Sequence, residues 1–366
     1  MSNSMTPRER LKTTMSGGKL DRFFRLDLGA WPSTIKRWKE EGMPHDASFH
    51  GDHFGFDPFP SLPFNIGFTD SPIFPVFEHT VLEIGDGWEI IRAENGIIMK
   101  VLSQDSDLSM PQFLEFPVKT RRDWDEIQKR LDPGSVSKYI GDISETAQKF
   151  NKMPDFPVQM RICGAFGHPR NLFGDENLFY MLYEDPKLIH EIQKNWLTLY
   201  KEIINHITAG IKVDMMMIWE DMCYKNGPLI SPAHFREFIF PYYCELISYA
   251  KSRGIDYIWV DTDGDCLKLI PLFVESGVDA LIPFEVQAGM DVVKIRKEMG
   301  DDFTIIGGID KRALALSKDE IRKEVDRVVP FFIESGKYIP SLDHTVPVNV
   351  SYDNFLYYLE CVRSYE

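Results

Sequence analysis

Two patterns of apolar and polar positions divide the chain. Up to about residue 120 the pattern is broken by turn formers, as in FHGDHFGFDPFPSLPFNIGFTDSPIFP (49–75), where Phe, Pro, Gly and His recur too closely for long helices. Within this part FFRLDL (23–28) reads as a first strand, and STIKRWKEEGMP (33–44) as a short helix with Ser33 as N-cap, stopped at Gly42 and Pro44. The stretch VFEHTVLEIGDGWEIIRAENGIIMKVL (76–102) alternates apolar and polar residues around Gly85-Asp86-Gly87 and Asn95-Gly96, which predicts antiparallel hairpins. Residues 1–120 are therefore expected to supply a first strand and a cap of loops and hairpins, packed on a main part over 121–366 within one structural domain.

From about residue 155 the pattern becomes a repeated strand and helix. Strands are expected at 158–163, 213–219, 256–260, 279–284, 303–308 and 337–342, each short and apolar enough to be buried on both faces. Helices are expected at 176–184, 186–209, 232–253, 265–276, 290–299, 317–335 and 352–364, the third opening on Ser231 as cap with Pro232 in the first helical position. Six such strands plus one or two from the first part predict an α/β fold, a (β/α)8 TIM barrel. A doubly wound open sheet is the alternative, but neither G-x-G-x-x-G nor G-x-x-x-x-G-K-[ST] is present to support its nucleotide-binding form.

Charge then narrows the partners. With 41 Lys and Arg against 56 Asp and Glu the 366 residues carry a formal charge of −15, and no basic run opposes it, so neither nucleic acid nor an anionic membrane surface is an expected partner. The five cysteines, Cys163, Cys223, Cys244, Cys266 and Cys361, are widely spaced with no C-x-x-C, which predicts free thiols in a reducing, cytoplasmic setting. No stretch is apolar enough for a membrane span.

In a barrel of this kind the reactive groups come from the C-terminal ends of the strands. Those ends are acidic here: Trp219-Glu220-Asp221, Asp261-Thr262-Asp263-Gly264-Asp265, Glu285, Asp310, and Asp343-His344. Asp265 and Asp310 are read first as helix caps, whereas Asp261 and Asp263 lie before the cap, at alternate positions of a chain leaving a strand. Glu220 either faces the pocket or is buried beside an Arg. His344 is the one histidine at a late strand end, a candidate proton donor or metal ligand, with His168 second. His50 and His53 either line an aromatic pocket or belong to a packed loop. The candidate site is thus His344, Asp261 and Glu220 for catalysis, with Asp261, Asp263, His344 and Glu220 as possible metal ligands. Trp219, Glu285, Asp310 and His168 are candidates for holding substrate.

The segments MTPRERL (5–11), FPVKTRRDWDEIQKRLDP (116–133), WEDMCYKNGPLISPAHFREFIFPYY (219–243), DTDGDCLKLIPLFVESGVDALIPFEVQAGMDVVKIRKEMGDDFTIIGGIDKRAL (261–314) and YIPSLDHTVPVNVSYDNF (338–355) resemble the uroporphyrinogen decarboxylase superfamily, which includes zinc- and corrinoid-dependent methyltransferases. The decarboxylases carry Arg-Gln-Ala-Gly-Arg near the N-terminus to hold an octa-anionic tetrapyrrole, where this chain reads LDLGAWPSTIKRW (26–38). The thiol-directed methyltransferases use His-x-Cys and a later Cys for zinc, where this chain has Asp261-x-Asp263 and Asp343-His344. What the resemblance implies is a methyltransferase of the substrate-demethylating type. It would pass a methyl group from a small, methoxylated aromatic substrate to a corrinoid carried by a partner protein, with zinc as a possible cofactor and pairing into homodimers as in the family. A decarboxylase-type lyase acting on a smaller acid and a non-catalytic barrel that binds a corrinoid or tetrapyrrole stay open as alternatives.

Overall fold

The computed structural model describes residues 4–102 and 110–366. The turn signals of 76–102 close a four-stranded antiparallel meander, β1 (Thr80–Gly85), β2 (Trp88–Arg92), β3 (Ile98–Leu102) and β4 (Gln112–Glu115), with β1 and β4 at its edges. Asp86-Gly87 and Asn95-Gly96 make its first two turns, as their tolerance of positive φ predicts. The alternating region forms β5 (Gln159–Cys163) and β6 (Met215–Trp219), a short hairpin of β7 (Cys223–Tyr224) and β8 (Gly227–Pro228), then β9 (Tyr257–Asp261), β10 (Ala280–Ile282), β11 (Thr304–Ile306) and β12 (Tyr338–Ile339). Excluding the hairpin, these six are parallel in the order β12-β11-β10-β9-β6-β5.

The ring is completed by two extended segments that are not ladder strands. Ala30 bridges Val346 and Ser61 bridges Gln159, both in parallel sense, and the Asp57 amide donates to the Arg25 carbonyl at 2.9 Å. The first strand expected at 23–28 is therefore extended chain in the wall, without a continuous ladder. Pro58, Pro60 and Pro63 have no N–H to give in the neighbouring segment, so side chains replace the missing bonds. Asp27 accepts from Ser341 Oγ at 2.9 Å, the Leu342 amide at 3.2 Å and Tyr358 Oη at 3.3 Å. Asp57 accepts from Arg10, Arg22 and the Arg25 amide at 2.7–2.9 Å. The result is a (β/α)8 barrel whose seam lies between β12 and β5.

Helix Pro7–Ser16 closes the bottom. Its start is fixed by a capping box between Thr6 and Glu9 and by Pro7, and Leu11 and Met15 point into the barrel among Phe24, Met215, Met217, Trp259 and Ile306. Arg8 and Lys12 bind Asp214 and Asp256, which directly precede β6 and β9, at 3.1 and 2.8 Å. A second, larger core lies between the strands and the outer helices, where Pro186–Thr208 buries Ile192, Trp196, Tyr200 and Ile203.

Local chemistry moves three helix boundaries. Pro32, with φ preset for a helix, starts the helix Pro32–Glu40 one residue before Ser33, which caps nothing. The stretch expected at 232–253 is two helices, Pro232–Phe238 and Phe240–Ser252, broken before Pro241, although Ser231 caps it as expected through His234 N at 3.1 Å. Residues 265 and 266 are irregular and 267–269 form a turn, and helix begins at Ile270.

Candidate active site

Side chains alternate along a strand, and the parallel register turns that alternation into layers inside the barrel. Arg161 of β5 lies beside Met217 of β6, which lies beside Trp259 of β9; one layer higher stand Trp219 and Asp261. Between this layer and the N-terminal segments is a cavity of about 680 Å³, walled by Phe56, Phe59, Phe68, Met217 and Trp219. Its polar lining includes Asp27, His50, Asp57, Gln159, Arg161, Asp261, Asp263 and His344.

At the mouth, His344 Nε2 is 3.2 Å from Asp263 Oδ2. Glu285 joins them, and one donor atom from each of Asp263, Glu285 and His344 lies within 4.8 Å of the other two. Glu285 is aimed there by Phe284, a non-glycine residue at φ 64°, and held by the Gly264 amide at 3.0 Å. Lys311 Nζ lies 3.7 Å from Glu285 and 3.9 Å from Asp343. Burial opposes the imidazolium of His344, but the hydrogen bond and charge of Asp263 outweigh it and raise the pKa above the ordinary value. Asp261 is pushed up to about 8 by burial and by the neighbouring Asp263 charge, so it holds a proton at neutral pH.

The other candidates stand elsewhere. Glu220 points away from the cavity, because Trp219 takes the inward position and its neighbour must face out. Fully buried, it accepts from the amides of Ala165, Phe166 and Gly167 at 2.8–2.9 Å and from Tyr243 Oη, and no arginine is its partner. Burial lifts it to about 7. A Cβ at Gly164 would lie 2.2 Å from this carboxyl carbon, so only glycine fits there. His168 is a buried neutral histidine, driven down to about 3 by burial, with Nδ1 2.8 Å from Ser71 Oγ. Asp310 is clamped by Arg312 through its amide and guanidinium, and Asp265 accepts from the Leu267 amide, both outside the cavity lining. Asp343 is buried and ties two loops by accepting from the amides of Val286 and Lys311, each at 2.9 Å. His50 lines the cavity, while His53 stacks on Tyr352. Arg161 and Gln159 are not among the candidates named from the sequence, although two polar residues at alternate positions of VQMRIC, a strand expected to be buried on both faces, are an available signal.

All five cysteines are free, four of them buried. No helix among the described residues is long and apolar enough to cross a membrane.

Comparison with known proteins places this geometry in a family. The model of the family described as Uroporphyrinogen decarboxylase (URO-D) matches residues 99–365. The uroporphyrinogen decarboxylase of Chlorobium phaeobacteroides is 25% identical over 187 residues, 50% of this chain and 51% of that protein. That of Chlorobium chlorochromatii is 22% identical over 296 residues, 76% of this chain and 80% of that protein. The chain thus spans about half the length of the first curated relatives it matches. Among solved structures, a methyltransferase from Methanosarcina mazei shares the fold with a TM-score of 0.64 at 12% identity, covering 99% of each chain. With a match over residues 99–365 and the same barrel beneath it, the chain belongs to the uroporphyrinogen decarboxylase family.

Proposed function

We propose that the protein is a methyltransferase of this family, which takes a methyl group from a small methoxylated aromatic substrate and passes it to a corrinoid carried by a partner protein. The observation that carries this reading is the His344–Asp263 pair at the mouth of a cavity walled by Phe and Trp. An aromatic ring fits such walls, and cleavage of its methyl ether needs help at one atom, the departing oxygen. The O–CH3 bond breaks, the methyl goes to the reduced corrinoid, and His344 gives the aryl oxide a proton to leave a phenol.

The decarboxylase reading is weaker electrostatically. An octa-anionic tetrapyrrole needs several cations to hold its carboxylates, whereas Arg161 is the one arginine or lysine among the described lining residues.

The donor set Asp263, Glu285 and His344 fits a divalent ion such as zinc, which accepts one nitrogen and two oxygens and in catalytic sites keeps an open position. Bound there, the ion would take over the role of the proton: His344 would be a neutral ligand, and the ion would supply Lewis acidity to the departing oxygen. Asp261 and Glu220 are not part of this set.

The test is anaerobic incubation of the protein with a reduced corrinoid protein and methoxybenzenes. Expected is formation of the phenol, with kcat reduced about 10²–10⁴-fold in His344→Ala while the melting temperature is kept. Carbon dioxide release from an aromatic acid, with no methyl transfer, would replace this reading by the lyase. Elemental analysis of protein purified without chelator decides between the ion and the proton: zinc near one per chain, lost in Asp263→Ala and His344→Ala, would assign the departing oxygen to the ion, and metal-free protein that still turns over would assign it to the His344 proton.

A further inference from the structure

The interior of a barrel of this fold is ordinarily filled by branched apolar side chains. In the layer formed by β5, β6, β9 and β10, three neighbours obey that rule of apolarity, Met217, Trp259 and Ala280, and the fourth is Arg161. Its guanidinium lies over the ring of Phe68, 4.5 Å from the centroid, and opens onto the cavity. Among the described residues no side chain or carbonyl hydrogen-bonds to it and no carboxylate forms an ion pair with it; Asp261, one layer above, acts on it only at a distance. The side chain is exposed to the cavity rather than enclosed by protein, so its fork of donors is left to solvent or to a ligand that enters. The cavity walls around it partly desolvate the group and lower its pKa, as they do that of His50, on which the Arg161 charge also acts.

We infer that Arg161 is a substrate-anchoring residue that receives a carboxylate carried by the aromatic substrate. The planar fork matches the two carboxylate oxygens, Phe68 fixes the plane of the fork, and Phe59 and Trp219 flank the ring that bears the acid. Arg161 is one layer below the rim and His344 at the rim, so the acid end of such a substrate lies deep and its other end reaches the His344–Asp263 pair. Asp261 does not compete for the fork while it carries its proton. The inference rests on the proposed aromatic substrate but not on what is done to it.

Binding is therefore the readout, with neither corrinoid nor turnover involved. Benzoate, 4-methoxybenzoate and their uncharged amides are titrated calorimetrically against the full chain and against Arg161→Met and Arg161→Lys. The acids should bind about 10- to 100-fold more tightly than the amides, the range expected of a charged bidentate contact. Arg161→Met, of similar volume and shown to be folded by its melting temperature, should erase that preference by weakening the acids far more than the amides. Arg161→Lys should retain part of it. Equal binding of acid and amide by the native protein, no binding of either acid, or a preference that survives in Arg161→Met would each overturn the assignment. If the preference is found and lost as expected while no methyl transfer occurs, the anchor stands and the methyltransferase reading falls. If methoxybenzenes are demethylated with no preference for acids, the reverse holds.

Discussion

Glu220 illustrates how a single side chain can look catalytic and be architectural. It follows a barrel strand, as a site residue should, yet it is surrounded by four donors that orient the β5 loop and the start of the helix Gly167–Phe173. Glu220→Ala would strand three buried amides at about 1–3 kcal/mol each, so it should lower the urea midpoint strongly and with it the yield of folded protein. A midpoint unchanged within error would return Glu220 to the candidate site. The strand-end rule made Asp261, Asp263, Glu285 and His344 legible in the sequence, because in a parallel barrel every C-terminal end opens on one mouth. It could not tell Trp219 from Glu220 without the register, since one residue of slip exchanges inside for outside. Arg161 escaped because it lies in the body of a strand, where apolarity is assumed.

Among the elements, those with strong local signals were legible to within a few residues, and those held by distant side chains were not. The hairpins at Asp86-Gly87 and Asn95-Gly96 and the Ser231 cap are written in consecutive residues. FFRLDL marks 23–28 as extended, but nothing local shows that it and 57–62 lack a ladder, because they are held by distant partners, Ser341 and Tyr358 for the first and Gln159 for the second. The bottom helix is joined to this wall by Arg10, buried between Asp21 and Asp57 at 2.8 Å from each. Asp57 serves three donors and Arg10 keeps Asp21 if Asp57 is lost, so the two deletions differ in cost. Asp57→Ala should destabilise by about 3–5 kcal/mol, and Arg10→Met by less, because Asp57 then retains Arg22. Urea unfolding of both variants measures the order, and a larger loss in Arg10→Met would refute it.

For the molecule as a whole the seam also sets a pH dependence. Asp27 is buried at the junction of 23–30 with β12, and burial raises its pKa from 3.8 to about 7. Between those values the folded state holds a proton that the unfolded chain has released, so this group's contribution to stability falls as pH rises from about 4 to 7 and is level above. Asp27→Asn keeps acceptors for Ser341 and Leu342 and removes the titration. Its stability relative to the native protein should therefore rise across that interval, as followed by urea midpoints at half-unit steps; a constant difference would exclude Asp27 as the source. Six of the eight wall positions are stitched by continuous ladders, whereas the remaining two depend on a few carboxylates and isolated bridges. Amide protons of 23–30 and 57–62 should accordingly trade with deuterated solvent well before those of β6 and β9. The weak side of the ring is also the side that carries Phe56, Phe59 and His50, so the wall that shields a bound ring from water is the one able to part and let it in.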